Sequence, residues 1–393
     1  MSPKRVPRRA AKKPTKKPTK KPATKRAKKL ATQPGATAAA GRGTSRLDVI
    51  GRLDPSGMGE RIEGLAAQLR RGPSLAAPAL ARLAPDRPRR VVLCGMGGSA
   101  IAGELLASIV DREGVVPMHV VRNYEAPAWI TPDDFLIFSS YSGETEETLA
   151  AYRALKPLSA RSCVVTTGGT LAGRAEADGV PVARLPGGHP PRAALGYSFS
   201  TLAHLIEHLG VLARAGARAV AAADAVDLVA AACARTAAPS RNAANSLATR
   251  LAGRAVLVMA NGRTLGPAAI RWKGQLNENA KHMAWVSLLP ESNHNEVDGF
   301  VHPRPLLDEF AAVFLRDPSD HPRIANRFEW LGRYLRRKGV LVETVTPEGE
   351  DAMERVLACV AMGDFTSYYL ALRNGMDPSA LPGVESLKKA LRA

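Results

Sequence analysis

The sequence predicts an α/β protein: two tandem αβα sandwiches on parallel, doubly wound sheets, behind a disordered basic tail. Three observations lead there. Short apolar runs alternate with helical stretches over residues 90–185, and the first of them ends in glycines. After two long helices the same alternation restarts near residue 254. The charge, finally, is confined to one end. Sixteen of the 55 Lys and Arg, and none of the 36 Asp and Glu, fall in residues 1–46. The rest of the chain holds 39 basic against 36 acidic residues, about +3, so the formal charge of +19 describes the tail and not the body. The predicted divisions are 1–45, 46–195 and 196–393.

Residues 2–45 are of low complexity, with Lys-Lys-Pro-Thr repeats from Lys12 to Pro22 followed by an Ala/Gly/Thr run. Like charges repel and proline blocks helix, so this segment is expected to stay disordered. It reads either as non-specific attachment to nucleic acid by counterion release or as a merely solvating stretch, including upstream sequence from a misplaced start.

Folding signals begin near Leu47, and Gly59–Leu69 has helical spacing. Arg90–Cys94 is a continuous apolar run before glycines, as a strand buried on both faces should be. A helix over Ser99–Val110 follows, then strands at Met118–Val121 and Phe135–Ser139, a helix at Glu146–Leu155, and strands at Ser162–Thr166 and Val180–Leu185. Tyr197–Leu212 and Ala217–Arg235 read as long helices. Beyond them come a strand at Arg254–Met259, a helix at Leu265–Ala280, a strand at Ala284–Leu288, a helix at Leu306–Leu315 and a strand at Val340–Thr344. Glu354–Leu372 and Gly383–Leu391 close the chain as helices.

Composition excludes several classes. Cys94, Cys163, Cys233 and Cys359 are scattered and form no CxxC pair, which speaks against a zinc ribbon and for a reducing, cytoplasmic setting. The N-terminus has charge but no apolar core, so no signal peptide is expected. The Ala219–Ala238 stretch is interrupted by Asp224, Asp227 and Arg235, whereas a membrane span needs about 20 mostly apolar residues. His204-Leu-Ile-Glu-His208 spells a zinc-protease pattern, but no third ligand accompanies it, and a packed helix face is the expected role. No metal and no cofactor are expected.

Two loops carry the chemistry. Cys94-Gly-Met-Gly-Gly-Ser99-Ala lies where strand turns to helix, and its glycines let backbone N–H groups approach an anion. A dinucleotide is disfavoured, because the second strand ends Val121-Arg-Asn with no carboxylate for a ribose hydroxyl. The third strand runs into Ser139-Ser-Tyr-Ser-Gly-Glu-Thr145, whose hydroxyls at 140, 142 and 145 form a neutral cradle for a phosphate monoester. Gly98, Ser99, Ser140, Ser142 and Thr145 are the candidate phosphate-binding residues.

Together these loops resemble the sugar isomerase (SIS) domain. Leu53-Asp-Pro-Ser-Gly-Met58, Pro191-Arg-Ala-Ala-Leu-Gly-Tyr197, Trp272-Lys-Gly-Gln-Leu-Asn-Glu-Asn-Ala-Lys281 and Pro290-Glu-Ser-Asn-His-Asn-Glu296 are similar to segments of the bifunctional phosphoglucose/phosphomannose isomerase family. The resemblance covers residues 47–393. It implies a metal-independent aldose–ketose isomerase that interconverts glucose 6-phosphate, and mannose 6-phosphate, with fructose 6-phosphate through a cis-enediol. By the same resemblance Glu278 is the base, His294 the ring-opening group contributed by the partner of a homodimer, Arg192 the cation that stabilises the enediolate, and Lys388 a lysine of the ring-opening site. Ser379 takes the place of a small hydroxyl residue that admits both epimers. Glu144 stands where the family often has asparagine and brings a negative charge toward the phosphate. The competing readings are a silent sugar-phosphate sensor with a DNA-binding tail, and a histone-like DNA compactor. A sensor has no need of the Glu278/His294 pair, and no helix-turn-helix pattern is present in the sequence.

Overall fold

The apolar runs of residues 90–185 form five parallel strands. In this computed structural model, which describes residues 46–158 and 161–391, four short helices come first: α1 (Arg46–Leu53), α2 (Met58–Glu63), α3 (Leu65–Arg70) and α4 (Gly72–Leu80). The tail of residues 1–45 lies outside the described residues. The helical stretch expected at 59–69 is broken at Gly64 into α2 and α3. Then follow β1 (Val91–Gly95), α5 (Gly97–Glu113), β2 (Met118–Val121), β3 (Phe135–Ser139), α6 (Glu146–Leu155), β4 (Ser162–Thr166), α7 (Gly169–Ala177) and β5 (Val182–Arg184). The strand order is β2-β1-β3-β4-β5, all parallel.

The central strands β1, β3 and β4 are buried on both faces, which is why they read as apolar runs, whereas the edge strands β2 and β5 each expose a residue, His119 and Arg184. Val91, Leu93, Ile137, Cys163 and Val165 face a large core that includes residues of α5 and the later helix at 195–208. The alternating Val92, Cys94, Leu136, Phe138 and Val164 pack with Tyr152 of α6 and Leu171 of α7.

Helices α8 (Leu195–His208), α9 (Ala215–Cys233) and α10 (Ala243–Leu251) lead into a second sheet. Its elements are β6 (Ala255–Asn261), α11 (Gly266–Glu278), β7 (Ala284–Leu289), α12 (Ser292–Asn295), β8 (Phe310–Leu315), α13 (Pro322–Arg337) and β9 (Leu341–Val345), in the parallel order β7-β6-β8-β9. The chain ends with α14 (Ala352–Arg373) and α15 (Pro382–Leu391). The inner faces of both sheets share one core with α9 and α14.

One expected element is corrected. Residues 306–315 are not a helix: Phe310–Leu315 is a central strand, β8, entered through a 3₁₀ stretch at Arg304–Glu309. A six-residue apolar run has no periodicity to separate buried strand from buried helix, and pairing with β6 and β9 decides it.

Among the described residues no helix is long and apolar enough to cross a membrane. The His204/Glu207/His208 triplet serves packing. His204 Nδ1 lies 2.7 Å from Ser200 O, His208 Nε2 lies 3.0 Å from Leu83 O, and the Glu207 carboxylate accepts the Gly216 N–H at 2.7 Å.

Candidate active site

The strand order of the first sheet reverses between β1 and β3, and the loops that leave these two strands flank the crevice where ligands bind in such sheets. At the β1–α5 turn the N–H groups of Ser99 and Ala100 close onto Met96 O at 3.1 and 3.2 Å. The amides of Gly97 and Gly98, which a helix cannot satisfy from within, open that turn. The buried Ser99 hydroxyl accepts the Tyr141 N–H at 3.0 Å and so staples this turn to the next loop.

In the second loop the buried Ser140 hydroxyl accepts the Gly143 N–H at 3.1 Å and pairs with Thr145 Oγ1 at 2.8 Å. The exposed Ser142 accepts the Glu144 N–H at 3.2 Å. Gly143 has φ 74, and a Cβ there would collide with the Gly168 carbonyl oxygen. Glu144 does not point its charge into the loop it belongs to. Its carboxylate accepts the Thr170 N–H at 2.7 Å and the Thr170 hydroxyl at 2.9 Å, and these bonds hold it below the usual carboxylate range.

Gly98 joins this cradle to the rest of the site, since a Cβ on it would stand 2.8 Å from Pro191 O and 3.4 Å from Arg192 N. Arg192 is buried, and its Nη1 lies 3.8 Å from Glu278 Oε2. Its Nε donates to Asn279 Oδ1 at 2.7 Å, and its Nη2 to the carbonyls of Pro378 at 2.7 Å and Ser379 at 3.0 Å. Burial, only partly offset by Glu278, lowers the Arg192 guanidinium from its usual value. The backbone carbonyl of Arg192 is itself held by Arg271 Nη2 at 2.9 Å, and Arg271 is clamped by the buried Asp364 at 2.6 Å. The Ser379 hydroxyl is buried with no hydrogen-bond partner among the described residues.

Arg192, Glu278, Gly98 and Ser379 therefore converge beside the Ser99/Ser140/Ser142/Thr145 loops. His294 and Lys388 do not join them. His294 is an exposed residue of α12, and Lys388 lies on α15, none of whose residues is buried. The motif reading passed over the roles of Asn279, which is fully buried and bonded to Ser367 Oγ at 3.0 Å, and of Arg271 and Asp364. Asn279 was within reach of inference, because a carboxamide flanking Glu278 in a buried helix end needs partners. Leu53–Met58 acts locally, with the Asp54 carboxylate capping α2 at the amides of Met58 (2.7 Å) and Gly59 (2.9 Å).

A parallel sheet of this order, with glycine- and hydroxyl-rich loops at its switch point, is of the SIS class, and residues 86–178 match the SIS domain model. Residues 240–391 match the model of the bacterial phospho-glucose isomerase C-terminal SIS domain. The bifunctional phosphoglucose/phosphomannose isomerase of Caldicellulosiruptor bescii is 35% identical over 304 residues, 77% of this chain and 89% of that protein. The protein of the same description from Aquifex aeolicus is 31% identical over 308 residues, 77% of this chain and 90% of that one. The chain belongs to the bifunctional phosphoglucose/phosphomannose isomerase family. A solved structure of a hypothetical protein from Thermus thermophilus shares the fold, with TM-score 0.66 and 16% identity, covering 88% of this chain and 92% of that one.

Proposed function

We propose that this protein interconverts glucose 6-phosphate and mannose 6-phosphate with fructose 6-phosphate, without metal, by proton transfer through a cis-enediol. The observation that carries this reading is the buried Arg192 guanidinium 3.8 Å from Glu278, beside the Gly98 end of the phosphate cradle. The sugar phosphate sits with its phosphate on the Gly97 and Gly98 amides and the hydroxyls of the 140–145 loop. Glu278 takes the proton from C1 of the open-chain ketose, and the electron pair left behind forms the enediolate. The O1 hydroxyl proton passes to O2, and Glu278 returns the carbon-bound proton to C2, giving the aldose. Arg192 carries the charge that develops on the enediolate oxygen, in a buried place where a fixed cation counts for more than in water. The Ser379 hydroxyl, buried and without a hydrogen-bond partner among the described residues, is the candidate partner for the C2 substituent of either epimer once segment 377–379 shifts to uncover it. Ring opening falls to His294 supplied by the second subunit, with Lys388 of the C-terminal helix serving the same step in the assembled enzyme.

The test is a coupled assay on EDTA-treated protein supplied with fructose 6-phosphate, with glucose 6-phosphate and mannose 6-phosphate detected separately. Both products are expected. One product alone narrows the pocket to one epimer, and binding without turnover moves the protein to the sensor class.

The further parts of this reading are a homodimer, a division of the body at 195/196, a cytoplasmic location and non-specific nucleic-acid contact through residues 1–45. The four cysteines are buried and unpaired, which suits a reducing compartment. Deleting residues 1–45 should abolish salt-dependent DNA retention and leave kcat unchanged; retention that survives the deletion removes the tail from the function.

A further inference from the structure

Lys281 stands three residues beyond Glu278, and its backbone is in the left-handed region at φ 50. Glycine or asparagine takes that conformation readily; a long side chain there carries strain. The half-buried ammonium explains why a lysine is held in it. Nζ donates to the carbonyl of Asn279 at 3.2 Å and to that of Asp377. The two carbonyls that follow, Pro378 O and Ser379 O, are those that accept Arg192 Nη2. Three consecutive carbonyls thus form a rack, with Lys281 on its first member and Arg192 on the other two. Asn279 closes the loop, since its side chain holds Arg192 Nε while its backbone carbonyl holds Lys281.

Building on the isomerase reading, we propose that Lys281 is a positioning residue: its ammonium fixes segment 377–379, which fixes the Arg192 guanidinium against Glu278 and the Ser379 hydroxyl in the site. Its own groups do not touch substrate. Besides Arg192 and Glu278, the charged group that acts on Lys281 is Asp377, whose side chain caps the Ser379 N–H at 2.7 Å within the same segment.

The experiment compares wild type with Lys281→Met and Lys281→Gly in steady-state turnover of fructose 6-phosphate, and in amide hydrogen exchange of residues 376–380. Glycine relieves the left-handed strain, so that variant keeps the fold while it loses the ammonium. The expected result is a loss of about ten- to a hundredfold in kcat in both variants, with KM within about threefold, because the displaced group acts in the transition state. Exchange at 376–380 should speed up about tenfold or more as the rack opens locally. Wild-type kcat in Lys281→Gly, a loss confined to KM, or unchanged exchange would each overturn the proposal. If the wild-type enzyme turns over no sugar phosphate, the isomerase reading falls, and the exchange data alone decide whether Lys281 holds the rack.

Discussion

Glu278 ends α11 with its carboxylate half open and one guanidinium beside it, and that combination separates binding from chemistry. Glu278→Gln is nearly isosteric but cannot accept a proton. It should bind fructose 6-phosphate with little change and lose about a thousandfold in kcat, by calorimetry and coupled assay; full turnover would remove Glu278 from the mechanism. The Arg271–Asp364 pair below it makes a different prediction. The two side chains are 4% and 5% exposed, and Asp364 also accepts Gln275 Nε2 at 2.9 Å. Asp364→Ala strands a buried guanidinium, so urea denaturation should show a loss of about 3–5 kcal/mol, whereas a surface-like loss below about 1 kcal/mol would contradict the burial argument. Glu278 and Arg192 were legible as candidates because two short segments resemble the isomerase family. Asp364 was not, because it sits in the apolar run of α14, 93 residues from Arg271, and only the fold brings the two together.

At the scale of elements, the loop proposed for the phosphate is held by its neighbour as much as by itself. The β3–α6 loop receives the Thr167 N–H on Tyr141 O at 3.0 Å and the Leu171 N–H on Gly143 O at 3.0 Å, and Glu144 answers Thr170 from the other side. A substitution at Glu144 therefore loosens the cradle rather than removing repulsion from it. Glu144→Ala should raise KM for sugar phosphates several-fold with kcat kept within about twofold; a fall in KM would mean that the carboxylate faces the phosphate after all. Glycine and hydroxyl spacing made both loops readable as strand-to-helix turns and as candidates for an anion, a pattern that a tight turn or a capped helix also shares. The second sheet was less readable. The run Phe310–Leu315 lacks periodicity, and residues 316–339 carry no element in the sequence reading, although Phe328, Leu331 and Leu335 line the buried face of α13. That helix starts at Pro322 behind a His321 cap, a weaker start signal than Ser, Thr, Asp or Asn.

The whole molecule determines which residues can share a site. Helix α11 connects β6 to β7, so Glu278 lies at the end of the second sheet where β7 begins, and His294 lies beyond the end where β7 finishes. Five residue steps along β7 alone separate those edges by about 17 Å, which supports the proposed arrangement with the histidine drawn from a second subunit. The second sheet has its own switch point, between β6 and β8. Its crevice between β6 and β8 holds the chain's own groups: Arg355 on Asp317 at 3.0 Å and on Ser319 at 3.2 Å, Asn261 on Asp320 at 2.8 Å, and Arg112 on Thr264 at 3.1 Å. On the proposed homodimer, in which each site takes its histidine from the second subunit, two dead variants should rescue each other. Glu278→Gln and His294→Asn homodimers are each expected to be nearly inactive. Unfolded, mixed in equal amounts and refolded together, about half the dimers carry both chains, and one of the two sites in each regains an intact Glu278 and an intact His294. Activity should return to about a quarter of wild type. No recovery, in a mixture shown by mass spectrometry to contain mixed dimers, would mean that the histidine does not cross between subunits, and ring opening would then belong to a group already beside Glu278.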